Sequence, residues 1–83
     1  MSKTVLIVDD DPAQRRLLQA AVERQGFATR TAEDGAQAIA QAMDPAVDVM
    51  LLDLIMPGVS GMEALAAIRL KREDLPVVVL TGS

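Results

Sequence analysis

The chain has 83 residues, 51% of them hydrophobic, a single aromatic residue (Phe27) and a net charge of −4. That length suits one domain with a limited core, and the acidic balance argues against nucleic-acid binding through a basic footprint. With neither Cys nor His, the chain offers no disulfide framework, no thiolate or zinc site and no imidazole base.

Val5-Leu6-Ile7-Val8 is a continuous apolar run and predicts a strand buried on both faces. It is too short for a signal peptide or a membrane span, so no membrane partner is expected and the cytoplasm is the expected location. Asp11-Pro12 predicts a helix cap followed by proline at the first helical position. Ala13, Leu17, Leu18, Ala21 and Val22 recur at helical spacing, and Gly26 marks the stop. Phe27 to Thr31 suits a second strand. Asp34-Gly35 opens a second helix with Ala38, Ile39, Ala42 and Met43 on one face and Pro45 beyond its end.

Val47 to Leu52 predicts a third strand that leads into Asp53. The segment from Pro57 to Gly61 has loop chemistry, and Met62, Leu65, Ala66, Ile68 and Arg69 suit a third helix. Val77-Val78-Val79-Leu80 predicts a fourth buried strand ending at Thr81-Gly82-Ser83. The methionines read as core filler, and Arg15, Arg16, Lys71 and Arg72 as solvated helix surface. Strands alternating with helices at this spacing predict an α/β fold with a parallel sheet.

Ligands of open α/β sheets sit beyond the carboxyl ends of strands, near the point where strand order reverses. Asp9, Asp10, Asp53 and Thr81 all fall at such ends. Unit charges about 4 Å apart repel by roughly 4 kcal/mol at an effective dielectric near 20, so clustered acids call for a cation or a bound proton. Hard oxygen donors favour Mg²⁺, with Mn²⁺ as the alternative. Asp10 and Asp53 suit direct ligation, with Asp9 acting through water. A carboxylate can also attack phosphorus to give an aspartyl phosphate, and the Thr81 hydroxyl is placed to donate to a phosphoryl oxygen on Asp53.

Three segments, Val5 to Pro12, Leu51 to Gly61 and Pro76 to Thr81, closely resemble the receiver domain of bacterial two-component response regulators. The resemblance runs along the whole chain. It implies a flavodoxin-like doubly wound parallel sheet of order 2-1-3-4-5. It makes Asp53 the phosphoacceptor, Asp9 and Asp10 the acidic pair for Mg²⁺, the Ile55 backbone carbonyl a further ligand and Thr81 the switch hydroxyl. Pro57 and Gly61 match the family's shaped loop. The implied phosphoryl donor is a histidine of a sensor histidine kinase or a histidine phosphotransfer protein, docking near Gln14, Arg15 and Leu18. Ile55, two positions past the phosphoacceptor, is expected to limit water access to the acyl phosphate.

The family has five βα units. Residues 1–83 are therefore expected to be one incomplete receiver domain, without the fifth strand, its lysine and the last two helices. An uncovered fourth strand predicts a homodimer or a domain swap through that strand. Two other functions fit the residues. A haloacid-dehalogenase-type phosphohydrolase would use Asp9 and Asp11 as its Asp-x-Asp pair. A truncated receiver that binds metal without switching would serve as an assembly module.

Overall fold

The computed structural model describes residues 2–54, 56 and 60–80. Seven elements follow in the expected alternation: β1 (Thr4–Val8), α1 (Pro12–Arg24), β2 (Ala28–Ala32), α2 (Gly35–Ala42), β3 (Val47–Asp53), α3 (Gly61–Lys71) and β4 (Val77–Leu80). All strand pairs are parallel, in the order β2-β1-β3-β4. The chain therefore leaves β1 for one side of the sheet and returns across it to the other, so the order reverses between β1 and β3.

The helix starts obey local chemistry. Asp11 accepts from the Ala13 N–H, Asp34 from the Gln37 N–H and Ser60 from the Glu63 N–H, each satisfying a donor left open by the first turn. After α1, Gly26 adopts φ +96°, a left-handed stop that a Cβ would strain. The second strand starts one residue later than expected, at Ala28.

Alternation splits each strand between two faces. Leu6, Val8, Ala32, Met50 and Leu52 pack with Ala38, Ala42 and Ile68 into one buried core under α2 and α3. On the opposite face, Val5, Val49 and Leu51 meet Ala21 and Val22 of α1 across an open groove of about 400 Å³. There α1 buries no residue completely. Its inward row is Arg15, Leu18, Gln19 and Val22, all half-buried, whereas Leu17 is 72% exposed. The apolar residues expected to form one stripe thus occupy two helix rows, and only one faces the sheet.

Other expectations need correction. Met62 is 59% exposed because the inward row of α3 runs through Gly61, Ala64 and Ile68; Met50 and Met56 do lie in the core. The fourth strand forms as expected but is not buried: Val78 and Val79 are 49% and 41% exposed at the sheet edge. Arg72 is not plain surface either. Its Nη1 donates to the Ala42 and Asp44 carbonyl oxygens at 3.1 and 2.9 Å, tying the end of α3 to the end of α2. Asp44 in turn pairs with Arg30 of β2 at 2.6 Å. No described helix is long and apolar enough to cross a membrane.

Candidate functional site

The reversal between β1 and β3 sets the site. Val8 pairs with Leu52, so Asp9 and Asp53 are the next residues on adjacent parallel strands and emerge side by side. Asp9, Asp10 and Asp53 each bring a carboxylate oxygen to within 4.8 Å of the others. Asp9 is 2% exposed, Asp53 is half-buried and Asp10 is exposed, so the cluster runs from the sheet rim to solvent.

The loop after β1 is held closely. The Asp9 N–H donates to the Ala32 carbonyl of β2 at 3.2 Å. Asp9 Oδ1 accepts from the Asp11 N–H at 2.9 Å. Burial pushes the Asp9 carboxyl above the usual carboxylate range. The Asp11 N–H opposes that shift, and the charges of Asp53, Asp10 and Asp11 add to it. The site thus disfavours its own negative charge, the condition under which a cation is welcome.

The donor set fits a small hard divalent ion. Octahedral Mg²⁺ with bonds of 2.0–2.1 Å places neighbouring ligands about 3.0 Å apart and opposite ones about 4.2 Å apart. A three-carboxylate cluster contained within 4.8 Å is somewhat wider than that shell, and it fits if the carboxylates close on the ion or if one of them acts through water.

The sequence places Asp9, Asp10 and Asp53 together, as the structure does, and makes Asp11 a cap, which it is, its Oδ1 accepting from the Ala13 N–H at 3.0 Å. Asp11, the second acid of the Asp-x-Asp pair in the hydrolase reading, thus caps the helix, and the acidic cluster is made by Asp9, Asp10 and Asp53. Ile55, Pro57 and Thr81, to which the resemblance gives the backbone ligand, the loop proline and the switch hydroxyl, lie outside the described residues.

Nothing in the sequence signals what Arg15 and Gly61 touch. Arg15 is not ordinary surface, since its Nη1 donates to the Asp9 carbonyl oxygen at 2.8 Å. Its place on the inward row of α1 brings it there. Gly61 packs directly on the chain after Asp53, its N–H donating to the Leu54 carbonyl at 3.2 Å. A glycine in loop chemistry was visible in the sequence; the contact it permits was not.

The Response regulator receiver domain family matches residues 5–83. The chain belongs to that family. This receiver domain is 43% identical over 78 residues to the transcriptional regulatory protein ResD of Bacillus subtilis, covering 94% of the chain and 32% of that protein. It therefore spans about a third of the length of this curated relative. Among solved structures, the response regulator protein TrrA of Thermotoga maritima, in complex with Mg²⁺-BeF, shares 37% identity at a TM-score of 0.92. The match covers 98% of this chain and 70% of that one. TrrA has also been solved in complex with the histidine kinase ThkA, at 38% identity and a TM-score of 0.89, covering 96% of this receiver and 69% of that chain. The chain is thus a signalling receiver of two-component regulators rather than an enzyme in the ordinary sense, and its four strands take the order of a CheY-like sheet.

Proposed function

We propose that Asp53 is the phosphoacceptor of this receiver, with Mg²⁺, or Mn²⁺ in its place, held by Asp10, Asp53, the Ile55 backbone carbonyl and, through water, Asp9. The observation that carries this reading is the meeting of three carboxylates from two neighbouring strand ends within 4.8 Å. The bound ion would supply positive charge beside the phosphoryl oxygens, the electrostatic help that phosphoryl transfer chiefly asks for.

A carboxylate oxygen of Asp53 attacks the phosphorus of a phosphohistidine on a sensor histidine kinase or a histidine phosphotransfer protein. The P–O bond forms as the P–N bond breaks, and the imidazole nitrogen leaves with the electron pair and takes a proton from water. The Thr81 hydroxyl donates to a phosphoryl oxygen of the product and biases a two-state equilibrium toward the signalling form. The complex of TrrA with ThkA supports a histidine kinase as the class of partner, and TrrA with Mg²⁺-BeF supports the ion.

The residues form one receiver domain. We infer that it works in the cytoplasm and that the β4 edge pairs with a second copy in the isolated chain.

Treatment with acetyl phosphate and Mg²⁺, followed by peptide mass spectrometry, tests the assignment. The added phosphoryl mass is expected on the peptide containing Asp53 and absent from Asp53→Asn. Label on Asp9 instead would restore the hydrolase reading.

A further inference from the structure

We propose that Arg15 is a positioning residue for the metal-holding acids: through the Asp9 carbonyl oxygen it fixes where Asp9 and Asp10 present their carboxylates. The inference rests on the reading that Asp9, Asp10 and Asp53 hold a divalent cation.

The Asp9 carbonyl belongs to the peptide unit joining Asp9 to Asp10, so its orientation governs both side chains at once. Arg15 Nη1 donates to that oxygen at 2.8 Å. Three other hydrogen bonds fix the same turn: Asp9 N–H to the Ala32 carbonyl at 3.2 Å, Asp11 N–H to Asp9 Oδ1 at 2.9 Å, and Arg15 N–H to the Asp11 carbonyl at 2.9 Å. Of these bonds among the described residues, that of the guanidinium is the one made to the peptide unit between the two acids. Arg15 is half-buried on the inward row of α1 with Leu18, Gln19 and Val22, so it stands on the sheet side of the helix rather than free in solvent.

What Arg15 leaves alone matters as much. Its charge goes to a neutral carbonyl, and the ion pair found among the described residues joins Arg30 to Asp44, far from the cluster in sequence. A guanidinium on the carboxylates themselves would compete with the cation. On the backbone it orders the ligands and leaves their charge to the ion, as outer-shell partners of metal sites do.

The two ways in which an arginine can act here predict opposite signs. As mere positive charge near an acidic site, Arg15 repels the cation, and removing it tightens Mg²⁺ binding. As a positioning group it orders the ligands, and removing it weakens binding, by about 10- to 100-fold for outer-shell partners of metal sites.

The test is Mg²⁺ titration by isothermal calorimetry on the chain, on Arg15→Ala, on Arg15→Gln and on the exposed neighbour Arg16→Ala, with far-UV circular dichroism on each. Weakening by about tenfold or more in Arg15→Ala, in the same direction in Arg15→Gln and not in Arg16→Ala, is the expected result. If Arg15→Ala does not fold, the sign in Arg15→Gln decides. Unchanged or tighter binding in the Arg15 variants overturns the proposal while leaving the metal site standing. A parent chain without saturable Mg²⁺ binding overturns the metal reading and this proposal with it.

Discussion

Gly61 lies so close to Leu54 that no side chain fits between them: a Cβ on Gly61 would stand 2.5 Å from the Asp53 carbonyl oxygen and nearer still to the Leu54 Cα. The first residue of α3 therefore bears directly on the backbone that follows Asp53. Gly61→Ala can be accommodated only by moving α3 or the end of β3. Overpacking of this kind typically costs about 1–3 kcal/mol. Urea unfolding is expected to show that loss, and Mg²⁺ affinity is expected to fall because Asp53 shifts. Equal stability and equal affinity in the alanine variant would mean that the helix yields freely.

The relation also shows where sequence reading stops. The strand-helix order was legible because Val5-Leu6-Ile7-Val8 and Val47 to Leu52 are apolar runs bounded by acids, and because Asp11-Pro12 and Asp34-Gly35 carry cap chemistry. The meeting of Asp9, Asp10 and Asp53 followed from placing two such strands side by side. Gly61 and Arg15 were not legible in those roles. A glycine's clearance and an arginine's bond to a backbone carbonyl depend on three-dimensional approach and leave no periodicity. Leu17 misled for a related reason: hydropathy marks a helix as amphipathic, but cannot choose between adjacent rows when both hold apolar residues.

Asp9 links the site to stability. Its carboxyl is raised, first by burial, so the folded state binds the proton more tightly than the unfolded chain. The destabilisation begins as pH rises past the unfolded value of about 3.9 and is complete above the raised folded value. Without divalent ions, Asp9→Asn is expected to be more stable than the parent at pH 7, with the advantage disappearing below the unfolded value. Thermal unfolding in EDTA at pH 7 and pH 3 checks both halves. The absence of any gain at pH 7 would show that the cluster is relieved some other way.

Mg²⁺ should reverse that order. A ligand that binds only the folded state adds about 2.7 kcal/mol when present at 100 times its dissociation constant. The parent is expected to gain stability with rising Mg²⁺, whereas Asp10→Asn and Asp53→Asn gain much less at the same concentration. Equal gains in all three proteins would move the ion away from these acids.

Asp44 behaves in the opposite sense. Its carboxyl is lowered, first by the Ala46 N–H and next by the Arg30 guanidinium, so its ionised form favours the fold. That stability is present above the unfolded value and is lost as pH falls through the lowered folded one. Asp44→Asn keeps an oxygen for the Ala46 N–H but loses the pairing with Arg30. It is expected to lower the urea midpoint modestly at pH 7, with parent and variant converging under strong acid. A gap that persists in acid would point to packing rather than charge.

The edge of the sheet gives the last test. β4 pairs with β3 alone among the described strands, and Val78 and Val79, on opposite faces of this strand, are both half-exposed. A flat apolar edge of this kind pairs readily with another chain, and lysine on an edge strand is a common block to such pairing. The isolated chain is expected to show a dimeric mass by light scattering at micromolar concentration. Val78→Lys is expected to return it to the monomer without loss of secondary structure, because that side chain already reaches solvent. A monomeric parent would remove edge pairing from the account while leaving the acidic site intact, since Asp9, Asp10 and Asp53 sit at the ends of β1 and β3 rather than on β4.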